Sequence, residues 1–123
     1  MRRLAMLALA GTLAGAACTD STGPNGSVTG TYQLRTINGQ NLPYTFSSGL
    51  RLVADDLTLF NDGTYEDVSR YSDGSTDVDE GDYTNYNGAV TFYSTTGFVY
   101  QGSVSRDVLT TVLNGFTQVF ERD

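Results

Sequence analysis

Leu57-Thr58-Leu59-Phe60-Asn61-Asp62-Gly63-Thr64-Tyr65 is the stretch that decides the fold of this 123-residue chain. Leu57 and Leu59 flank a threonine, as one buried face of a strand requires, because successive strand side chains point to opposite sides. The run then stops at Asp62-Gly63. Such dipeptides accept the positive backbone φ angles of tight primed turns, whose twist matches that of the strands they join. A second strand starting at Thr64 is therefore expected to return antiparallel beside the first.

The same punctuation recurs at Asn38-Gly39, Asp73-Gly74, Asn87-Gly88 and Asn114-Gly115, with softer breaks at Ser47-Ser48-Gly49, Thr96-Gly97 and Arg106-Asp107. Between them the chain predicts strands over 28–37, 40–46, 50–60, 64–71, 75–86, 89–94, 98–105, 107–113 and 116–122. Tyr32 and Leu34, Val90 and Phe92, Phe98 and Tyr100, and Phe116 and Phe120 repeat the two-residue spacing or its double. No segment after residue 18 sustains a helical period. Pro43 has no N–H for a ladder, so its segment is expected to be an edge or a short irregular piece. Hairpin after hairpin with short loops leaves no long crossing of the kind a sandwich needs. The expected fold is all-β, an antiparallel up-and-down β-barrel of about eight strands.

The first 17 residues read differently. Arg2 and Arg3 precede an apolar run from Leu4 to Ala17 that ends in small residues before Cys18, the form of a secretory signal peptide. The run is too short for the roughly 20 residues a bilayer-spanning helix needs. Cys18 is the only cysteine, so it has no partner for an internal disulfide. Leu13-Ala14-Gly15-Ala16-Ala17-Cys18 resembles a bacterial lipoprotein box, which implies diacylation of Cys18 and anchoring in the cell envelope. Gly15 stands where a leucine is usual, and the alternative is ordinary cleavage after a small residue such as Ala17. Thr19 follows the cysteine where an aspartate would signal retention in the inner membrane, so the outer membrane is the expected destination. The polar stretch 18–27 reads as a tether. The domain plan is thus a signal peptide over 1–17, a tether over 18–27 and one β-domain over 28–123.

The net charge of the whole sequence is −7, and loss of Arg2 and Arg3 with the signal peptide makes the exported chain more acidic still. Arg35, Arg51, Arg70, Arg106 and Arg122 are scattered singly and there is no lysine, so nothing gathers to neutralise phosphates. No nucleic-acid partner is expected, and membrane contact should come through the anchor. A monomer is expected. With no histidine, no lysine and no second cysteine, a serine triad lacks its base, a Schiff base lacks its amine and a zinc site lacks its usual ligands. Asp55, Asp56, Asp77, Asp79, Glu80 and Asp82 are the carboxylates available for glycosidase-like chemistry or, over 73–82, for calcium. Asp55 and Asp56 are adjacent and so point to opposite faces. The acidic stretch lacks the glycine and the closing glutamate of a helical calcium loop. The expectation for all six is solvated, outward-facing acid, with no enzyme activity, no metal and no cofactor.

Gly30-Thr31-Tyr32-Gln33-Leu34 with Asn38-Gly39-Gln40-Asn41-Leu42-Pro43, the stretch around Leu57 to Tyr65, Gly81-Asp82-Tyr83-Thr84 and the ending Phe120-Glu121-Arg122 resemble phrases of the small lipocalin-like domains of bacterial lipoproteins. The resemblance implies that Gly30-Thr31-Tyr32 and Arg122 occupy the places of the lipocalin Gly-x-Trp and the arginine that packs across it to close the barrel, with Tyr32 for tryptophan. Tyr32, Tyr65, Tyr83, Phe92, Phe98, Tyr100, Phe116 and Phe120 are the candidates for the interior. A barrel of about eight strands is just wide enough to be filled by its own side chains or to hold one small ligand. The resemblance implies a small apolar ligand, with Tyr32, Tyr65, Tyr83, Phe92, Phe98 and Tyr100 lining its site. The alternative is a filled barrel that serves the envelope as a structural or interaction module.

Overall fold

The structure, a computed structural model, describes residues 28–123; Cys18, the signal peptide and the tether lie outside the described residues. Among the described residues ten strands follow in chain order: β1 (Gly30–Ile37), β2 (Gln40–Asn41), β3 (Tyr44–Thr45), β4 (Arg51–Leu59), β5 (Thr64–Tyr71), β6 (Thr76–Tyr86), β7 (Ala89–Ser94), β8 (Val99–Ser105), β9 (Val108–Leu113) and β10 (Phe116–Arg122). From β4 to β10 each strand pairs antiparallel with the next. β1 closes the ring by pairing with both β10 and β4. The result is the up-and-down barrel of eight full strands that the hairpin rhythm predicts.

The turns explain the closure. Asn38, Asn87 and Asn114 have φ of 50°, 52° and 51°, and the glycine after each is also positive, at 81°, 90° and 81°. These are two-residue turns with both central residues left-handed, the geometry whose twist suits a hairpin. Asp62-Gly63 and Asp73-Gly74 act differently: only the glycine is left-handed there. Each aspartate uses its side chain instead, Asp62 Oδ1 accepting from the Thr64 N–H at 2.9 Å and Asp73 Oδ1 from the Ser75 N–H at 2.8 Å. The hairpins form in both cases, but through longer loops than the dipeptide alone predicts.

Segment 40–46 departs from the single predicted strand. It breaks at Leu42-Pro43 into β2, which pairs with β1, and β3, which pairs with β4. The break occurs where β1 and β4 part, since their mutual pairing ends at Gln33 opposite Asp56. The short strands thus carry the two diverging edges of the barrel's seam, and Leu42, Tyr44 and Phe46 pack against the core from there.

One end of the barrel is solid. Tyr32, Leu57, Leu59, Val90, Phe92, Leu109 and Phe120 are fully buried, with Val28 beneath them. Two buried phenols are satisfied by backbone at this end: Tyr32 OH donates to Val28 O and Tyr83 OH to Phe60 O, each at 2.7 Å. Buried hydroxyls without such acceptors would be costly. Phe98 is a correction to the expected interior. The eighth strand starts at Val99, so Phe98 falls in the preceding loop, outside the strand's alternation, and is 59% exposed. Phe116 is only partly buried, in an edge-on cluster with Tyr44 and Phe46.

Candidate functional site

At the end opposite Arg122, the turns 72–75, 95–98 and 114–115 and the segment 40–50 surround a mouth. It leads to a cavity of about 490 Å³ whose wall includes Phe46, Leu52, Tyr71, Phe98, Tyr100 and Leu113. Its volume falls within the roughly 300 to 1,000 Å³ of small-molecule pockets. An aromatic group floors it from the solid half of the barrel. Phe92 and Tyr100 stack at 4.7 Å, and Tyr65 meets Phe92 edge-on at 5.0 Å. Each such pair adds about 0.5 to 1.5 kcal/mol beyond burial, so the floor is a rigid surface.

The site residues expected from sequence divide accordingly. Tyr100 and Phe98 line the cavity, Tyr100 from the wall and Phe98 from the rim loop. Tyr65 and Phe92 lie beneath as the floor, while Tyr32 and Tyr83 belong to the solid half. The six are therefore not one lining.

The acids are the larger departure. Asp55, Asp67, Asp77 and Asp79 all line the cavity, from β4, β5 and β6. The expectation of outward, solvated carboxylates fails for Asp55, which is 4% exposed, and for Asp79, which faces inward. Period two explains this. Asp55 shares its face with Leu57 and Leu59, and Asp77 and Asp79 share theirs with Tyr83, so the residues that build the core carry the acids inside with them. Asp56 does point outward, where Arg70 Nη1 donates to it at 3.0 Å. Asp67, missed entirely at the level of sequence, sits two residues from Tyr65 on the same face.

The barrel handles this interior charge with hydroxyl groups. Asp79 accepts from Tyr65 OH at 2.9 Å, from Tyr100 OH at 3.3 Å and from Ser94 Oγ. Burial, then this contact with Asp79, pushes the Tyr65 phenol up to about 12, and burial raises Tyr100 as well. Asp55 Oδ2 accepts from Ser69 Oγ at 2.7 Å. The other oxygens, Asp55 Oδ1 and Asp67 Oδ1, are buried where no donor group of another side chain or the backbone reaches them. They can satisfy each other only through a proton. Burial first, and then the hydrogen bond to Asp55, hold the Asp67 carboxyl well above the usual carboxylate range; burial raises Asp55 too. Burial and the closeness of the two carboxyls thus favour a proton held between Asp55 and Asp67.

This sets a sign for pH dependence. In the unfolded chain Asp67 loses its proton near pH 4, whereas in the folded chain it keeps it to a higher pH. Folding therefore binds more protons above about pH 4, and stability falls as pH rises from there toward the folded value. The nearby charges of Asp56, on the outer face of β4, and of Asp79, inside on β6, act in the same direction, and Arg70 partly offsets them at Asp55. The melting temperature should fall as pH rises above about 4, and Asp67→Asn, which keeps a donor for Asp55, should flatten that decline. Equal slopes for the two proteins would show that the pair holds no proton.

Among the described residues no group of three acidic, cysteine or histidine side chains is placed to hold a metal ion. No protein-family model matches the chain. Comparison with curated proteins and with solved structures finds no match in either.

Proposed function

We propose that this chain is an exported, lipid-anchored binding barrel of lipocalin-like type, held to the bacterial envelope through Cys18 and taking one small molecule with an apolar body into its mouth. One observation carries the reading: the barrel is solid at the Tyr32 end and hollow at the Phe46 end, where Phe46, Leu52, Phe98 and Leu113 give apolar surface to a space of about 490 Å³. A barrel serving only as a packed structural block has no use for such a space, and cavities lower stability in proportion to their volume. The resemblance to lipocalin-like lipoproteins supports the same reading, and so does the place of Cys18 directly after a short apolar run. On this reading the protein is a binder rather than an enzyme.

Filling the mouth tests the binding half. N-phenyl-1-naphthylamine, a neutral probe that fluoresces when it leaves water, should light up with the parent protein. Leu113→Trp, which places an indole in the cavity wall, should reduce the signal by about tenfold or more, since the largest loss of apolar contact accompanies loss of the space itself. Equal fluorescence from both proteins would place the probe elsewhere and remove the support for a binding mouth.

A further inference from the structure

The mouth is apolar at Phe46, Phe98 and Leu113 and acidic along the wall formed by β4, β5 and β6, and its lining contains no arginine to balance the acids. The nearest ion pair, Arg70 with Asp56, faces outward with both side chains well exposed. Carboxyl groups gathered around one space repel one another, and cross-strand like charges such as Asp67 opposite Asp79 are destabilising. Hydroxyl donors satisfy Asp79, but a hydroxyl carries no charge, so the field of the site remains negative. Asp55 Oδ1 and Asp67 Oδ1, both shut away from water, lack a donor apart from the proton they share. An acceptor pair that only a shared proton holds together, on one side of an otherwise satisfied barrel interior, is what a cationic hydrogen-bond donor would complete in the proton's place.

Resting on the reading of the mouth as a ligand site, we propose that its ligand is a cationic amphiphile: a protonated primary amine on an aliphatic or aromatic body. The ammonium group descends toward Asp55, Asp67 and Asp79, and the body lies against Phe46, Phe98 and Leu113. An ammonium has three donors and no acceptor, so it can serve several carboxylate oxygens at once. In doing so it replaces the proton between Asp55 and Asp67, which leaves to water. A carboxylate or phosphate ligand would meet like charge throughout. A neutral apolar ligand would gain the walls and leave the acids uncompensated. A metal ion would need several acids converging on one point, and among the described residues no three are so placed.

Three eight-carbon probes separate the claims: octylamine, 1-octanol and octanoate, titrated calorimetrically into the full chain at neutral pH. Octylamine should bind at least about tenfold more tightly than 1-octanol, and octanoate more weakly than either, since charge-assisted hydrogen bonds are roughly twice as strong as neutral ones. Equal binding of amine and alcohol, or preference for octanoate, would overturn the cationic assignment and leave the mouth standing as a binding site. Failure of all three to bind would overturn the mouth itself. The double variant Asp55→Asn with Asp67→Asn should cost octylamine about tenfold and leave 1-octanol unchanged; an equal loss for both probes, or no loss for the amine, counts against the proposal. Should that variant not fold, Asp77→Asn at the exposed side of the cavity takes its place, with a loss of about threefold confined to the amine. No difference between the probes there would likewise overturn the assignment.

Discussion

Gly81→Ala is expected to lower the melting temperature by more than about 10 °C, or to prevent folding altogether. Gly81 lies on the inward face of β6, opposite Ser94 of β7, and a β-carbon built on it would fall well inside contact distance of the Tyr93 carbonyl oxygen. The carbonyl carbon of Tyr93 and the Cα of Ser94 are close behind, at 2.9 and 3.0 Å. These are backbone atoms, so no side-chain rotation relieves the overlap. The strands themselves would have to part, and they are joined here into the next turn by the hydrogen bond from Thr95 N–H to Glu80 O at 2.9 Å. Glycine in a strand marks such places, where one backbone must approach another. The cost should reach about 3 kcal/mol or more, at the upper end of overpacking in a core. Asp82→Ala, one residue away on the outward face, should change the melting temperature little, which separates the packing effect from loss of strand propensity. A Gly81→Ala protein that melts with the parent would show that β6 and β7 are not as close as described.

Arg122→Ala should destabilise by about 2 kcal/mol, and more than half of that should vanish in a Tyr32→Ala background. The guanidinium stands 5.3 Å from the centre of the Tyr32 ring. The two residues are register partners across the β1–β10 seam, the last pairing needed to close the ring. Arg122 Nη1 also donates to Thr29 O at 3.0 Å, and Nη2 to Arg106 O at 2.9 Å, tying the start of β1 to the β8–β9 turn. Its partner Asp107 is mostly exposed, so that ion pair contributes little by comparison. Gly30 is part of the same device. Its φ is +132°, and a β-carbon there would lie 2.8 Å from Arg122 Cδ, so only glycine lets the arginine side chain cross the end of the barrel. A cycle of single and double variants measured by chemical unfolding isolates the contact; strict additivity would mean that Tyr32 and Arg122 do not act on each other.

The fold was legible because its instructions are local. Leu57, Leu59 and Tyr65 alternate around a turn signal, the asparagine-glycine pairs adopt the backbone angles they favour, and the order of the hairpins then leaves only one easy closure. Tyr32 and Arg122 were legible through resemblance, and their register across the seam gives that pairing a physical basis. The mouth was harder to read. Phe98 and Tyr100 have the same spacing as any inward pair, but a strand's first residue is fixed by where the loop ends, and Val99 rather than Phe98 begins β8. The interior acids were not legible because the chemistry of an aspartate points to solvent while strand period carries it inward. Asp55, Asp67 and Asp79 are inward by alternation with Leu57, Tyr65 and Tyr83, and only the three-dimensional pairing shows the hydroxyl groups that help make their burial tolerable. The split of segment 40–46 was foreshadowed by Pro43, yet which edge each half joins depends on where β1 and β4 separate.

Mass spectrometry of the protein extracted with detergent from the cells that make it tests both halves of the account together. Under native conditions the account predicts a species heavier than the chain by one small amine-bearing molecule, and after denaturation it predicts loss of that molecule with retention of a covalent diacylglyceryl mass on a chain beginning at Cys18. A bare polypeptide under both conditions, or a lipid on Cys18 with nothing ever found in the barrel, would contradict the claim that this is an anchored binding protein.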